Sequence, residues 1–437
     1  MRTLSKKQQD FDGSAAIASS SPNGLGRTFS ALRHRNFRLF WSGQLISLTG
    51  TWMQSTGEAW LVLQLTHNAF LLGLVGALQF LPVLLLTLFG GVLADRLPKR
   101  KVLLCTQTFA LLQAATLSIL VATGKIQLWH ILVLACLLGL TTSIDNPTRQ
   151  AFVIEMAGRE DLPNAIALNS SLFNMARIVG PGIAGLLIAW LGIAPLYLLN
   201  ALSFIPVLIG LMMIDMTKLY ALPKAVTQGG PNIFQSLGEG LSYVKRTPAV
   251  WLTIGVVGIV SLFGINFNVM LPLFATDVLH SGPTGFGFIS STFGIGSLLS
   301  ALWLAWRNRN PNITQLVIPA IIFAILEGFF ALSKLYVLSL VLIAGVGFAQ
   351  VAFSARANTT LQMVTPDYLR GRIMSVYMMV FAGSTPIGNL LMGELSRQAG
   401  APTAMLVGAV VSLIAASVAL ILRAPAEKSI AQSTYIS

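Results

Sequence analysis

The chain has 437 residues, of which 54% are hydrophobic and only 10% charged. Soluble globular domains carry about 25% charged residues, so a single water-soluble core is excluded. The formal net charge is +13. Most Lys and Arg fall in short segments between apolar runs, where an excess of positive charge sets membrane orientation and gives no reason to invoke nucleic acid.

In chain order, residues 1–28 are polar and rich in Ser, Gly and Ala. They lack the apolar centre of a signal peptide and read as a disordered cytoplasmic tail. About twelve apolar segments follow: 37–65, 69–94, 102–124, 128–154, 165–191, 193–215, 249–277, 285–306, 315–333, 335–363, 373–397 and 401–423. A helix rises about 1.5 Å per residue, so ~20 apolar residues cross a hydrocarbon layer of ~30 Å. The predicted class is therefore an all-α polytopic membrane protein with twelve transmembrane helices.

The basic residues alternate between the two sides of such a membrane. One set of connections holds Arg33, Arg35 and Arg38, then Arg96, Lys99, Arg100 and Lys101, then Arg159. The same set continues with Lys218, Lys224, Lys245 and Arg246, then Arg307 and Arg309, Arg370 and Arg372, and finally Arg423 and Lys428. The opposite set holds little more than Lys125, Lys334 and Arg397. The positive side faces the cytoplasm, which puts both termini there; the expected location is a bacterial inner membrane.

The longest connection, 216–248, carries Pro223, Gly229, Gly230 and Pro231 and divides the chain midway. The expected units are a six-helix bundle over 29–215, this cytoplasmic linker, a second six-helix bundle over 249–423, and a tail over 424–437. Within the linker, Ile233, Phe234, Leu237, Leu241 and Val244 have the spacing of a short amphipathic helix on the inner leaflet. An unstructured linker is the alternative. An internal repeat supports the division. Glu155–Pro163 is followed by a small-residue helix with Gly180-Pro181-Gly182, and 364–372 by one with Pro386-Ile-Gly388, at an offset of about 205 to 207 residues. Tandem halves related by an axis along the membrane normal place a substrate site at their interface.

Two motifs make the resemblance specific. The connection after the second span reads Gly91-Val-Leu-Ala-Asp95-Arg96-Leu-Pro98-Lys99-Arg100-Lys101. It resembles the G-x-x-x-D-R-x-x-R-R signature of the major facilitator superfamily, with Pro98 for the usual glycine and Lys99 for one arginine. Gly91 would let two helices approach closely, and Asp95 would pair with basic neighbours in one gate state. Orientation alone is the other role open to the cluster. Trp306-Arg307-Asn-Arg309, the matching place in the second half, lacks the acid. The fifth span contains Arg177-Ile-Val-Gly180-Pro181-Gly182-Ile-Ala-Gly185, similar to a motif of the superfamily's proton-coupled exporters; ordinary helix packing is the alternative. Two longer strings, Asp145-Asn-Pro147-Thr-Arg149-Gln150 and Arg370-Gly-Arg372, are similar to the branch that holds enterobactin exporters and macrolide efflux proteins. The resemblance implies two pseudo-symmetric six-helix bundles, alternating access and export of a small amphiphile.

Charges inside a bilayer are costly, so each is a candidate for function. Glu58 lies in the first span, Asp145 and Arg149 share a face of the fourth, Arg177 lies in the fifth, Glu327 in the ninth and Arg356 in the tenth. Asp145–Arg149 reads equally as a structural ion pair, Glu58 as a rim position, and Glu327 as an interior or a rim acid. Glu58 is the favoured proton carrier of the two acids in cavity-lining spans, because Arg149 holds Asp145 ionised. Trp52, Trp60, Phe267 and Phe353 are candidates for an aromatic cavity wall.

No Walker-type phosphate loop and no H-E-x-x-H occurs, so ATP-driven transport and a zinc centre are not expected. Cys105 and Cys136 lie inside apolar runs without metal-ligand spacing. The expected protein is a monomeric secondary exporter with no catalytic site, cofactor or metal. Its expected partners are the lipid bilayer, protons and a drug-like or siderophore substrate. A uniporter, an importer or a non-transporting receptor or scaffold of the same topology remains an alternative.

Overall fold

The computed structural model describes residues 29–220, 233–306, 312–424 and 426–427; the side chains of residues 88, 95 and 233–237 also lie outside the described set. The expected tail over 1–28, most of the C-terminal tail, Arg307, Arg309 and the middle of the linker thus lie outside the described residues.

The first half forms α1 (Arg35–Thr66), α2 (Ala69–Arg96), α3 (Lys99–Ala122), α4 (Leu128–Ala157), α5 (Leu162–Leu191) and α6 (Ile193–Met212). The linker carries α7 (Ile233–Arg246). The second half forms α8 (Pro248–Phe263), α9 (Phe267–Leu273), α10 (Gly282–Trp306), α11 (Ile313–Leu332), α12 (Tyr336–Val364), α13 (Asp367–Ala399) and α14 (Ala401–Ile421). No strand occurs among the described residues.

Eleven of these segments are long and apolar enough to cross a membrane. The twelfth crossing is α1, which has 32 residues but a less apolar composition. The reason is on its buried face, where Gln44, Ser47, Gln54, Thr56 and Glu58 point into the protein. Polar residues in a membrane helix that face the bundle interior find partners there and do not meet lipid.

The seventh crossing differs from a single run over 249–277. It breaks at Gly264, Ile265 and Asn266 between α8 and α9, and continues past α9 into a wider turn over Phe274–Val278. Asn266 donates its side-chain amide to Leu262 O at 2.8 Å. An Asx side chain that captures a backbone carbonyl offers the chain an alternative to the helical ladder.

Helix contacts repeat with a shift of six crossings. In the first bundle α2 packs on α4, α1 on α6 and α5, and α3 on α6 and α4. In the second, α10 packs on α12, α8 on α14 and α13, and α11 on α14 and α12. Two extensive contacts join the bundles, α5 with α10 and α2 with α13, and α9 adds smaller ones to α1 and α2. The molecule is thus a pair of pseudo-symmetric bundles meeting chiefly along two helix pairs.

Close approach at these joints needs glycine. A Cβ on Gly185 would stand 2.6 Å from Pro283 O, and one on Gly287 would stand 2.5 Å from Pro181 O. With no side chain between them, the α5 and α10 backbones touch, the arrangement favoured where apolar solvent gives no drive to bury large side chains. Trp60 on α1 stacks on Phe286 on α10, with ring centroids 6.2 Å apart. Ser291 donates to Ile178 O at 2.6 Å. These contacts lie from mid-membrane to the end remote from the chain termini.

Each end of the linker is fastened to a different bundle. Asn36 exchanges two hydrogen bonds with the Asp215 backbone, at 2.9 and 3.0 Å, and Tyr220 N donates to Glu155 O at 2.8 Å. On the other side, Glu239 on α7 forms an ion pair with Arg372 on α13, and Tyr243 donates to Val364 O at 3.3 Å.

Candidate functional site

A cavity of about 280 Å³ lies where the bundles meet. Its wall is drawn from α1, α2, α5, the α8–α9 break, α9, α10, α12 and α13. Trp52, Phe80, Phe267, Phe286, Phe293 and Phe381 supply aromatic surface, while Gln79, Asn268, Ser290, Gln350 and Thr385 supply hydrogen-bonding groups. Of the expected aromatic wall, Trp52 and Phe267 line it. Trp60 instead stacks on Phe286, and Phe353 is fully buried in the second bundle's packing.

Two lining residues carry charge chemistry, Glu58 and Arg177. Glu58 is 3% exposed, and neither carboxyl oxygen has a hydrogen-bond partner. A carboxylate in that setting is costly as the anion and tolerable as the neutral acid. Tyr197 on α6 is fully buried, and its hydroxyl also has no partner, but it does not line the cavity.

Arg177 comes from α5, one turn before Gly180. Its Nη2 donates to Ser297 Oγ on α10 at 3.1 Å, and its guanidinium carbon stands 5.0 Å from the centre of the Phe293 ring. A cation over an aromatic face is stabilised by the ring quadrupole. Sequence placed Arg177 in the membrane; its hold on the opposite bundle could not be read there, since Ser297 is an unremarkable serine 120 residues away.

Glu58 and Arg177 lie at different depths. α1 and α5 run in the same direction, and the Gly180 backbone abuts Trp52. Glu58 lies beyond that contact and Arg177 before it, so the two are separated by roughly 10–15 Å along the helix axes. Among the described residues no ion pair joins them.

The Asp145–Arg149 pair is elsewhere. Asp145 is buried and ion-paired to Arg149 on its own helix. It also accepts from Thr106 Oγ1 at 2.7 Å and Gln107 Nε2 at 2.8 Å, while Arg149 Nη1 donates to Gln44 Oε1 at 2.6 Å. These partners tie α1, α3 and α4 together inside the first bundle, away from the cavity wall. Glu327 is 1% exposed inside the second bundle, with one carboxyl oxygen unpartnered, and does not line the cavity. Arg356 is half-buried on α12, also outside the cavity wall.

The cluster after α2 divides into several roles. A Cβ on Gly91 would meet nothing within 4 Å, whereas Gly90 abuts the backbone of Ser143 and Ile144 on α4. The close approach expected at Gly91 is therefore made one residue earlier. The Asp95 side chain lies outside the described residues, and Arg96 is exposed. Lys99 pairs with Glu155 at 2.8 Å, joining the start of α3 to the end of α4. Arg100 donates to Met212 O at 2.5 Å, at the carbonyl end of α6, where a cation is favourable.

The exporter-type motif in α5 faces both bundles. Gly180 abuts Trp52 on α1, Gly182 faces Ser291, Pro181 lines the cavity, and Gly185 touches the α10 backbone.

A polar cluster that sequence reasoning missed lies at the termini end. Asp161, between α4 and α5, accepts from Ser30 Oγ at 2.6 Å and pairs with His34 Nε2 at 2.7 Å. The Ser30 hydroxyl first, and His34 second, hold the Asp161 carboxyl below the usual carboxylate range.

Among the described residues no group of three or more His, Cys, Asp and Glu is placed to hold a metal. The helix packing and the interface cavity define a polytopic transporter of the major facilitator type. Comparison with known proteins places it more narrowly. The model of the family described as transmembrane secretion effector matches residues 26–436, and the chain belongs to that family.

The multidrug efflux pump Tap of Mycolicibacterium fortuitum is 30% identical over 349 residues, covering 78% of this chain and 84% of the relative. The staphyloferrin A transporter of Staphylococcus aureus is 26% identical over 372 residues, covering 81% and 88%. The enterobactin exporter EntS of Escherichia coli is 25% identical over 363 residues, covering 83% and 85%. The fold is shared with the nucleoside transporter NupG (TM-score 0.71, 15% identity, 89% of this chain and 98% of that one). It is shared as well with a bacterial homologue of Spinster, in an inward-facing conformation (TM-score 0.61, 13% identity, 93% and 98%). The protein is thus a multi-pass membrane transporter of the efflux branch for small molecules, and not an enzyme.

Proposed function

We propose that this protein exports a small amphiphile, drug-like or siderophore, across a bacterial cell membrane by proton antiport. The units 29–215 and 249–423 rock about the interface cavity, and 216–248 joins them. The termini are cytoplasmic, as the basic connections dictate. The contacts between bundles described above lie from mid-membrane outward, which supports an inward-open state in which substrate enters from the cytoplasm.

Glu58 is the proton carrier. When the cavity faces outward, Glu58 takes a proton; when it faces inward, the proton leaves and substrate binds. The observation that carries this reading is the absence of any hydrogen-bond partner for either Glu58 oxygen in the wall of the interface cavity. A carboxyl with no fixed partner exchanges a proton without breaking structure. Asp145 serves the first bundle's structure, because all its bonds are to fixed neighbours. The Lys99–Glu155 pair and Asp95 belong to the gate at the cytoplasmic ends. The protein works as a monomer, since one chain supplies the whole cavity.

The test is transport in proteoliposomes with an imposed proton gradient. Glu58→Gln abolishes gradient-driven accumulation, while exchange without a gradient persists at saturating substrate. Full accumulation by this variant would remove Glu58 from the mechanism.

A further inference from the structure

The cavity presents a negative-capable group and a permanent cation at separate depths, with aromatic surface in the same wall. Glu58 lines the cavity and has two unpartnered oxygens. An ammonium donates in three directions and is satisfied by such acceptors. At the other depth, Arg177 gives one hydrogen bond to Ser297. A guanidinium has five donors and stays charged, so it favours an anionic or strongly accepting partner. Trp52, Phe267 and Phe293 line the same cavity.

We propose that the preferred substrates are elongated two-headed amphiphiles. One end carries an amine that binds Glu58, the other a carboxylate, phenolate or comparable acceptor that binds Arg177, and an aromatic body separates them by roughly 10–15 Å. This rests on the export reading and adds a substrate class to it. It also gives coupling a physical basis, because the amine and the proton compete for the same carboxyl. A substrate that met only Arg177 would not displace the proton. A substrate that met only Glu58 would leave Arg177 without an anionic partner.

Four probes of graded structure test the class by equilibrium dialysis against the purified full chain. They are 4′-(aminomethyl)biphenyl-4-carboxylate, biphenyl-4-carboxylate, 4-(aminomethyl)biphenyl and the shorter 4-(aminomethyl)benzoate. The long two-headed probe binds at least about tenfold more tightly than each of the others, because its second head binds intramolecularly. Glu58→Gln lowers its affinity to that of the carboxylate-only probe, and Arg177→Gln to that of the amine-only probe. Arg177→Lys keeps the charge and retains part of the preference, which separates loss of the anion site from loss of fold.

A two-headed probe that binds no better than the single-headed ones overturns the proposal, as does an advantage that survives Arg177→Gln. In either case gradient-driven transport measured on the same preparation stands or falls by itself, so the export reading is judged separately.

Discussion

At the residue scale, what separates the acids of this chain is partnership. Glu58, Asp145 and Glu327 are all buried in membrane helices. Asp145 is enclosed by Arg149, Thr106 and Gln107, whereas Glu58 has no partner at all. The sequence showed three acids in apolar runs and one basic residue four positions from Asp145. It could not show Thr106, Gln107 or Gln44, because contacts between helices depend on packing register and not on spacing along the chain. Asp161 allows a pH test outside the membrane. Its carboxyl is held below the usual range by Ser30 and His34, so this contribution to stability is fully present above the unfolded pKa, about 3.9. It is lost as pH falls through the lower folded value. Thermal unfolding of the wild type and Asp161→Asn between pH 3 and 6 checks this: the wild type is the more stable at pH 6, and the gap narrows below about pH 4.

At the element scale, apolar periodicity located the crossings to within a few residues, as at α6, expected over 193–215 and ending at Met212. It ran straight through the break between α8 and α9, because Ile265 and Phe267 keep the segment apolar while Gly264 and Asn266 interrupt the ladder. Glycine positions were legible as a class, but the contact assigned to Gly91 belongs to Gly90. Helix rotation decides which of two adjacent glycines faces a neighbour, and sequence alone does not fix it. At the α5–α10 joint, Gly185→Val introduces a Cβ 2.6 Å from Pro283 O. The two helices must separate, at a cost of about 1–3 kcal/mol to the closed arrangement. The population shifts toward an outward-open state. A cysteine placed at Ser290, in the cavity wall, then reacts faster with an impermeant thiol reagent added outside; an unchanged rate would mean that this joint does not set the gate.

At the scale of the whole molecule, the proposed orientation rests on charge, and the fold on helix packing. In the proposed orientation 216–248 lies in the cytoplasm and the α1–α2 turn outside. Both native cysteines are first replaced, since Cys105 is exposed. Gln228→Cys and His67→Cys then label from opposite faces of a sealed membrane; labelling from the same face refutes the topology. The two-bundle architecture was legible because a repeated motif and a central linker both survive in the primary structure. The cavity was legible only as a place between halves. Its chemistry depends on which faces of α1 and α5 turn inward together.

The fastening of the linker has a consequence for how the protein is put together. Asp215 and Tyr220 are held by the first bundle, and α7 by α13 of the second. Each clasp is thus made within one bundle, on its own side of residues 221–232. Cut there, the polypeptide becomes two heritable units, each carrying its own clasp, that can be translated from separate messages and meet in the membrane. Such a two-gene form keeps the bundle pairing, since α5–α10 and α2–α13 supply the recognition. A tether of this kind sets stoichiometry at one to one, and its loss is compensated by matched synthesis of the two halves.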